Sequence, residues 1–284
     1  MGFVNTILQN LRKAPSKDVL TEIVVGPSGA SKVAYTGAAM AELIQQARGF
    51  LVHAGVTKGD RVALLGPNSA RWVALDLAIM AEGAITVPLY ARQAASELAV
   101  MCADCTPKVL LSGDDRMQAA MAEAWPSDAR RALFDEVFSH QPTIAGPTTI
   151  EPSDPVTIIY TSGSTGTPKG VVYTRANVDF MLPTTEAAIG RIVTNKERDF
   201  VFHFLPFCFA GSRIMLWTQL RRGNGLMIST DLTKLVDEIK AADPSYYLNV
   251  PAVLERIRLG VGKVLKERGG IGQTLYEKGL AADK

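Results

Sequence analysis

The sequence predicts an α/β fold of layered, mainly parallel sheets flanked by helices. Two observations carry that prediction. Segments of helical period alternate with short apolar runs through the first half of the chain, the order of strand–helix–strand units. Those runs, RVALLG at 61–66, AITVPLY at 84–90 and KVLLSG at 108–113, are apolar at nearly every position. Continuous apolar strands suit a parallel sheet buried on both faces.

Taken in order, the first element is a short amphipathic helix bearing Phe3, Val4, Ile7, Leu8 and Leu11. Gly2 and Thr6 also satisfy the M-G-x-x-x-[ST] myristoylation pattern, which is short enough to arise by chance. A helix is predicted over 36–54, with Leu43, Ile44, Ala47, Phe50 and Leu51 on one face. The turn GVTKGD leads into strand 61–66, and a helix then starts at Asn68/Ser69 and stops at Gly83. Strand 84–90, a helix over 94–104 and strand 108–113 follow. The Pro-, Ser- and Thr-rich stretch 139–155 reads as a linker or long surface loop. Beyond it come strand VTIIY (156–160), a glycine–hydroxyl loop, strand GVVYT (170–174) and a helix from Asn177. Strands at 200–207 and 225–230, an amphipathic helix over 231–243, a strand at 246–251 and a basic helix complete the pattern. GPSGASK (26–32) and the run Gly269, Gly270, Gly272 read as turns.

Composition restricts the function classes. The 284 residues are 47% hydrophobic and 20% charged, which excludes a disordered or collagen-like chain. Length alone suggests one or two domains. Thirty basic against twenty-eight acidic residues leave a formal charge of +2, no basis for nucleic-acid binding. Three cysteines do not make a secreted disulfide framework. Cys102 and Cys105 form one CxxC without a second pair, so they read as small apolar residues near a helix end rather than zinc ligands. No apolar run reaches the roughly 18 residues of a membrane span.

The segment Thr161-Ser162-Gly163-Ser164-Thr165-Gly166-Thr167-Pro168-Lys169-Gly170 carries the chemistry. It places five hydroxyls, three glycines and one lysine between two apolar strands. Glycines permit close backbone approach, successive N–H groups can form an anion nest, and hydroxyls and a lysine add donors and charge. The arrangement suits a polyphosphate better than a turn that binds nothing. It is not a Walker A loop, because Pro168 precedes the lysine, Gly170 follows it, and the next segment is a strand rather than a helix.

This segment, with the apolar strand before it, resembles the phosphate-binding signature of the adenylate-forming (acyl-activating) enzymes. The resemblance extends to GVTKGDRVALLGPNSARWVALDLAIMAEGAITVPLY (55–90), ELAVMCADCTPKVLL (97–111) and FLPFCFAGSR (204–213). NVPAVLERIRLGV (249–261) followed by LYEKGLA (275–281) is most similar to the long-chain fatty acyl-CoA synthetase branch. The resemblance implies ATP, Mg²⁺ and coenzyme A as cofactors and a small carboxylate, a fatty acid, as partner. It implies that Ser162, Gly163, Ser164, Thr165 and Gly166 hold the β- and γ-phosphates, that Lys169 neutralises the leaving pyrophosphate, and that the Thr161 hydroxyl meets Mg²⁺. Phe209, where the family usually carries a histidine or an aromatic, and Gly211 would face the acyl substrate, with Phe207 and Met215 lending apolar surface.

The resemblance further implies a first lobe over about 1–150 and a second, incomplete lobe over about 151–284. A Y-G-x-T-E segment would supply the adenine contact and a second Mg²⁺ ligand, but residues 170–284 contain none; Tyr276-Glu277 has neither the glycine nor the spacing. The chain is therefore expected to be the N-terminal portion of an AMP-binding domain, with the C-terminal domain absent, and inactive alone. A ligase passing acyl-AMP to a carrier protein and a non-catalytic nucleotide-binding remnant are the alternatives. A cytoplasmic location, peripheral membrane attachment and a homodimer are all compatible with this reading.

Overall fold

The computed structural model describes residues 2–162, 167–194 and 199–282. Helix α1 (Phe3–Lys13) buries Phe3, Val4, Ile7, Leu8 and Leu11, the stripe its spacing predicts. A hairpin of β1 (Asp18–Gly26) and β2 (Gly29–Thr36) follows, joined by a turn at 27–28 that Gly29 closes with φ +113°. This hairpin was not expected, because β2 is exposed along most of its length and carries no apolar run. Thr36 caps α2 (Gly37–His53) by accepting a hydrogen bond from the Ala39 N–H.

The predicted βα units then appear nearly as read: β3 (Arg61–Leu65), α3 (Ala70–Ala81), β4 (Ile85–Leu89), α4 (Ala95–Cys105) and β5 (Val109–Ser112). Ser69 caps α3 through the Trp72 N–H, and Gly83 closes the helix with φ +70°. After these come α5 (Asp115–Ala124), β6 (Arg130–Leu133) and a single turn, α6 (Phe134–Val137). The stretch 139–154 has no regular structure, yet it is tied to the body. Buried Arg48 donates to the carbonyls of Ala145 (2.7 Å) and Gly146 (2.8 Å), and the Thr148 N–H reaches the Ala81 carbonyl at 2.7 Å. It is an anchored surface loop rather than a free linker.

The antiparallel pair β7 (Pro155–Ser162) and β8 (Pro168–Thr174) leads into α7 (Arg175–Ile192), whose capping box joins Thr174 and Asn177. The helix therefore starts two residues before Asn177, which is its N3 residue. Strand β9 (Val201–His203) is shorter than the expected 200–207, for a reason given below, and is followed by α8 (Ala210–Arg222). β10 (Leu226–Ser229), α9 (Leu235–Ala242) and β11 (Tyr246–Tyr247) complete the first compact unit, Met1–Tyr247. Leu248–Lys284 forms the second unit, which contains α10 (Pro251–Arg268) and α11 (Ile271–Ala282). Within it, the Tyr276 hydroxyl donates to the Arg258 carbonyl at 3.0 Å.

Among the described residues, two sheets organise the first unit. One has the order β11-β9-β10-β1-β2 and the other β6-β5-β3-β4-β7-β8, parallel except for the β1–β2 and β7–β8 pairs. Strands from both sides of residue 150 share each sheet, so the sheets interleave the chain rather than dividing it there. Pairing is decided by which apolar runs fill one layer, and β7 completes the layer begun by β3 and β4. The main core lies between α1, α2, α3, α8 and the two sheets; a second cluster lies on the opposite face of the six-stranded sheet, under α4 and α5.

Candidate functional site

The β7–β8 hairpin aligns the proposed phosphate-binding residues. Its register places Thr161 opposite Lys169 and Ser162 opposite Pro168. Directly opposed residues of an antiparallel pair project to the same face, so the Thr161 hydroxyl and the Lys169 ammonium share one. Both side chains are exposed, and Lys169 has no ion-pair partner among the described residues. Gly163, Ser164, Thr165 and Gly166, together with the Ser162 side chain, lie outside the described residues.

The hairpin explains a glycine that the sequence reading left without a role. A Cβ on Gly170 would stand 2.7 Å from Ile158 Cγ2 and 3.2 Å from the Tyr160 ring, inside van der Waals contact. Tyr160 is in turn fixed beneath the end of α4. Its hydroxyl donates to Asp104 Oδ2 at 2.5 Å, with the Met101 carbonyl 3.1 Å away. Burial, reinforced by the Asp104 carboxylate, pushes the Tyr160 phenol far up, so it stays protonated.

Strand β4 runs parallel to β7, with Thr86 opposite Thr157. The carboxyl ends of both strands therefore open on the same edge of the sheet, the usual place for a ligand in an α/β fold. Tyr90, just past β4, stacks in a tilted arrangement on Phe209 with ring centroids 5.6 Å apart. Phe209 is 48% exposed and forms the N-cap of α8 without a side-chain cap bond. Tyr90 also lines a cavity, whose walls include Asn68, Arg92, Phe204, Phe207 and Cys208. Its lining does not extend to Thr161 or Lys169.

Asn68 shapes that wall. Its amide donates to the Leu205 carbonyl and accepts from the Phe207 N–H, both at 3.0 Å. These backbone groups are thus diverted from a strand ladder, and Pro206 has no N–H to offer one; β9 accordingly ends at His203. Phe207 is buried against the His203 ring (5.1 Å, 14° between planes) and the Trp72 ring (5.1 Å). Met215 is also buried and does not line the cavity, whereas Phe207 is buried and lines it; Phe209 lies outside the lining, half-exposed and stacked on Tyr90. Gly211 lies in the first turn of α8, and a Cβ there would meet nothing within 4 Å.

Electrostatics separate this wall from the hairpin end. Burial pushes the His203 pKa down to about 4 against the opposing pull of the Leu205 backbone, and neither ring nitrogen has a full hydrogen bond among the described residues. Burial also pushes the Cys208 and Cys102 thiols up to about 12 and raises that of Cys105. All three cysteines are buried and unpaired, as the apolar reading of the CxxC requires. Among the described residues no three His, Cys, Asp or Glu side chains are grouped to hold a metal ion. A lone hydroxyl such as Thr161 still fits Mg²⁺ that arrives on a nucleotide, because Mg²⁺ retains water and phosphate ligands.

Sequence reasoning missed Asn68, Tyr90, Arg92 and Gly170 as site residues. Asn68 reads only as a helix start, Tyr90 and Arg92 follow an apolar strand with nothing in the local composition to mark them, and Gly170 closes the Thr161–Gly170 segment without a role of its own. A pair of polar residues at a strand's carboxyl end is the signal that could have found Asn68.

Comparison with known proteins identifies the family. The AMP-binding enzyme family matches residues 9–277. The long-chain-fatty-acid–CoA ligase FadD15 of Mycobacterium bovis is 28% identical over 239 residues, covering 78% of this chain and 40% of that protein. The peroxisomal long chain acyl-CoA synthetase 6 of Arabidopsis thaliana is 28% identical over 262 residues, covering 82% of this chain and 36% of its own length. The chain thus spans about two-fifths of the length of these curated relatives. Among solved structures, the inhibitor-bound N-terminal domain of FACL13 from Mycobacterium tuberculosis superposes with a TM-score of 0.75 at 26% identity, over 90% of this chain and 65% of that one. With the family match running over nearly its whole length, the chain belongs to the AMP-binding enzymes.

Proposed function

We propose that these residues form part of an acid–thiol ligase that activates a long-chain fatty acid with ATP and passes the acyl group to coenzyme A. In the first step a carboxylate oxygen attacks the α-phosphorus, the bond to the bridging oxygen breaks, and pyrophosphate leaves with its charge. A carboxylate is a weak nucleophile, so the protein's task is alignment and charge neutralisation. Lys169 stabilises the departing pyrophosphate; Ser162, Gly163, Ser164, Thr165 and Gly166 hold the β- and γ-phosphates. Thr161 offers its hydroxyl to Mg²⁺, which when bound neutralises phosphate charge. Tyr90, Phe209 and Gly211 border the acyl side. In the second step the thiol of coenzyme A takes the acyl group and AMP leaves.

The observation that carries this reading is the pairing of Thr161 with Lys169 at the same sheet edge as the Tyr90–Phe209 stack. Likeness to long-chain ligases supports the choice of acid. No helix among the described residues is long and apolar enough to cross a membrane. The test is pyrophosphate exchange by the whole protein across short, aromatic and long carboxylic acids, followed by product analysis with coenzyme A. Exchange driven by long-chain acids and formation of the thioester are expected. Exchange with none of them, or transfer only to a carrier protein, would overturn the proposal. Residues 1–284 alone, which lack a Y-G-x-T-E segment, are expected to give no exchange.

A further inference from the structure

A buried polar cluster joins the helix that carries the acyl wall to the strand that carries Thr161. Arg213, on α8, is fully buried. Its guanidinium donates to the Asp76 carboxylate on α3 and to the Thr157 hydroxyl on β7. The Trp217 indole N–H donates to the other Asp76 oxygen at 2.9 Å, and the guanidinium lies over the Trp217 ring, 4.5 Å from its centroid. Thr157 passes the connection on, donating to the Thr86 carbonyl of β4 at 2.7 Å. One strand and two helices therefore meet at Arg213, and the neighbouring strand β4 joins them through Thr157.

The pleat gives this junction its direction. Tyr160 projects towards α4, where its hydroxyl meets Asp104, so the residues of opposite parity, Thr157 and Thr161, project to the α8 face. Thr161 is four residues beyond Thr157, about 13 Å along the strand. Phe209 is four residues before Arg213, about 6 Å along the helix axis. The Arg213–Thr157 hydrogen bond is thus a strut between the acyl wall and the strand end bearing Thr161.

Stability alone is a weak reason for the cluster. A well-packed apolar group is often at least as stabilising as a buried ion pair, and the Arg213 Nε–H has no hydrogen-bond partner among the described residues. We propose that Arg213, acting through Thr157, is a positioning residue that sets the spacing between the acyl wall and the Thr161–Lys169 strand end. The inference rests on the adenylation reading above, because it assigns the two ends of the strut to the two substrates of that reaction.

The decisive variant is Thr157→Val, which keeps the shape of the side chain and the Asp76–Arg213 pair but deletes the strut. In the whole protein, three quantities are compared: the maximal rate and acid KM of pyrophosphate exchange with a long-chain acid, the affinity for Mg·ATP alone, and the melting temperature. The maximal rate should fall about tenfold, within the roughly 100-fold that an ångström of misplacement can cause. Affinity for Mg·ATP should stay at the wild-type value, and Thr157→Ser, which restores the hydroxyl, should recover the rate. A wild-type rate in Thr157→Val would overturn the inference. So would equal losses in the Val and Ser variants, or a lower melting temperature with an unchanged rate well below it. A wild-type protein with no exchange overturns the adenylation reading and the inference with it, and the parallel wild-type assay distinguishes that result from a failure of the strut alone. Arg213→Lys, which cannot fork between Asp76 and Thr157, provides a second test and should share the rate defect if it folds.

Discussion

The end of the β7–β8 hairpin and the aromatic wall at the start of α8 are held in opposite ways. At the hairpin, Thr161 and Lys169 are exposed and their placement comes from backbone register. At the wall, His203 and Phe207 are buried and the chain is held by a side chain, Asn68, reaching from the β3–α3 turn. The difference teaches where function and stability can be changed separately. An exposed group on a register-fixed strand can be removed without disturbing the core, whereas a buried group in the wall cannot.

The strongest way to sharpen that comparison is Lys169→Ala. The lysine touches no partner among the described residues, so the melting temperature should not move. In the proposed reaction its charge is needed only when pyrophosphate develops, and loss of such a contact costs about 2.7–4 kcal/mol in comparable transition states, a drop of roughly 100- to 1,000-fold. Pyrophosphate exchange and thermal unfolding of the whole protein measure the two sides. An unchanged exchange rate would remove Lys169 from the reaction.

His203→Phe tests the wall, with the readouts reversed. Burial holds the folded imidazole near a pKa of about 4, below its ordinary value of 6.5. As pH falls from about 6.5 towards about 4, the unfolded chain takes up a proton that the folded chain refuses, so stability present at neutral pH is lost across that window. The complete loss is on the order of 3 kcal/mol. Phenylalanine preserves the stack on Phe207 without a titrating group. Urea unfolding near pH 7 and near pH 4.5 should show a smaller acid-induced loss in the variant than in the wild type. Equal losses would mean that His203 does not titrate with folding.

Gly170→Ala breaks the comparison, because it places a core-like constraint inside the exposed hairpin. The added methyl meets Ile158 at 2.7 Å and the Tyr160 ring at 3.2 Å. Overpacking of this kind costs typically about 1–3 kcal/mol. Both the melting temperature and the exchange rate should fall, since the displaced residues belong to β7, the strand that carries Thr161. A loss of neither would show that the hairpin end tolerates rearrangement.

The same contrast governs how much was legible in the sequence. The strands flanking the Thr161–Gly170 segment were readable from their apolar runs, and β7 and β8 pair there; the anion that its hydroxyls, glycines and lysine suit belongs to the proposed function. Strands β3, β4 and β5 were readable from continuous burial, and α2 and α3 from their periodicity and caps. By contrast, β2 is an exposed edge strand without an apolar pattern, and β9 is cut short by Asn68, more than 130 residues away in sequence. The Asp76–Arg213–Thr157 cluster draws on three separate elements, each an ordinary helix or strand by local pattern. Long-range hydrogen bonds leave no local periodicity, so neither the shortened strand nor the buried cluster could be read from spacing.

Phe209→Ala gives the smallest expected effect and bears most directly on the wall. Unlike Phe207, this ring is about half exposed and packs chiefly on Tyr90, so its removal opens no buried cavity. An aromatic pair contributes about 0.5–1.5 kcal/mol beyond its buried area, so the melting temperature should drop only slightly. If the ring borders the acyl chain, the KM for a long-chain acid should rise by up to about tenfold, the equivalent of roughly 1.4 kcal/mol, while Mg·ATP affinity stays unchanged. Phe209→Leu, which keeps an apolar side chain but loses the stack, should fall between the two. A KM that responds equally for short and long acids would place Phe209 outside the acyl path and leave it a cap on Tyr90, which would make the exposed part of the wall structural and confine acyl recognition to the cavity that Tyr90 lines.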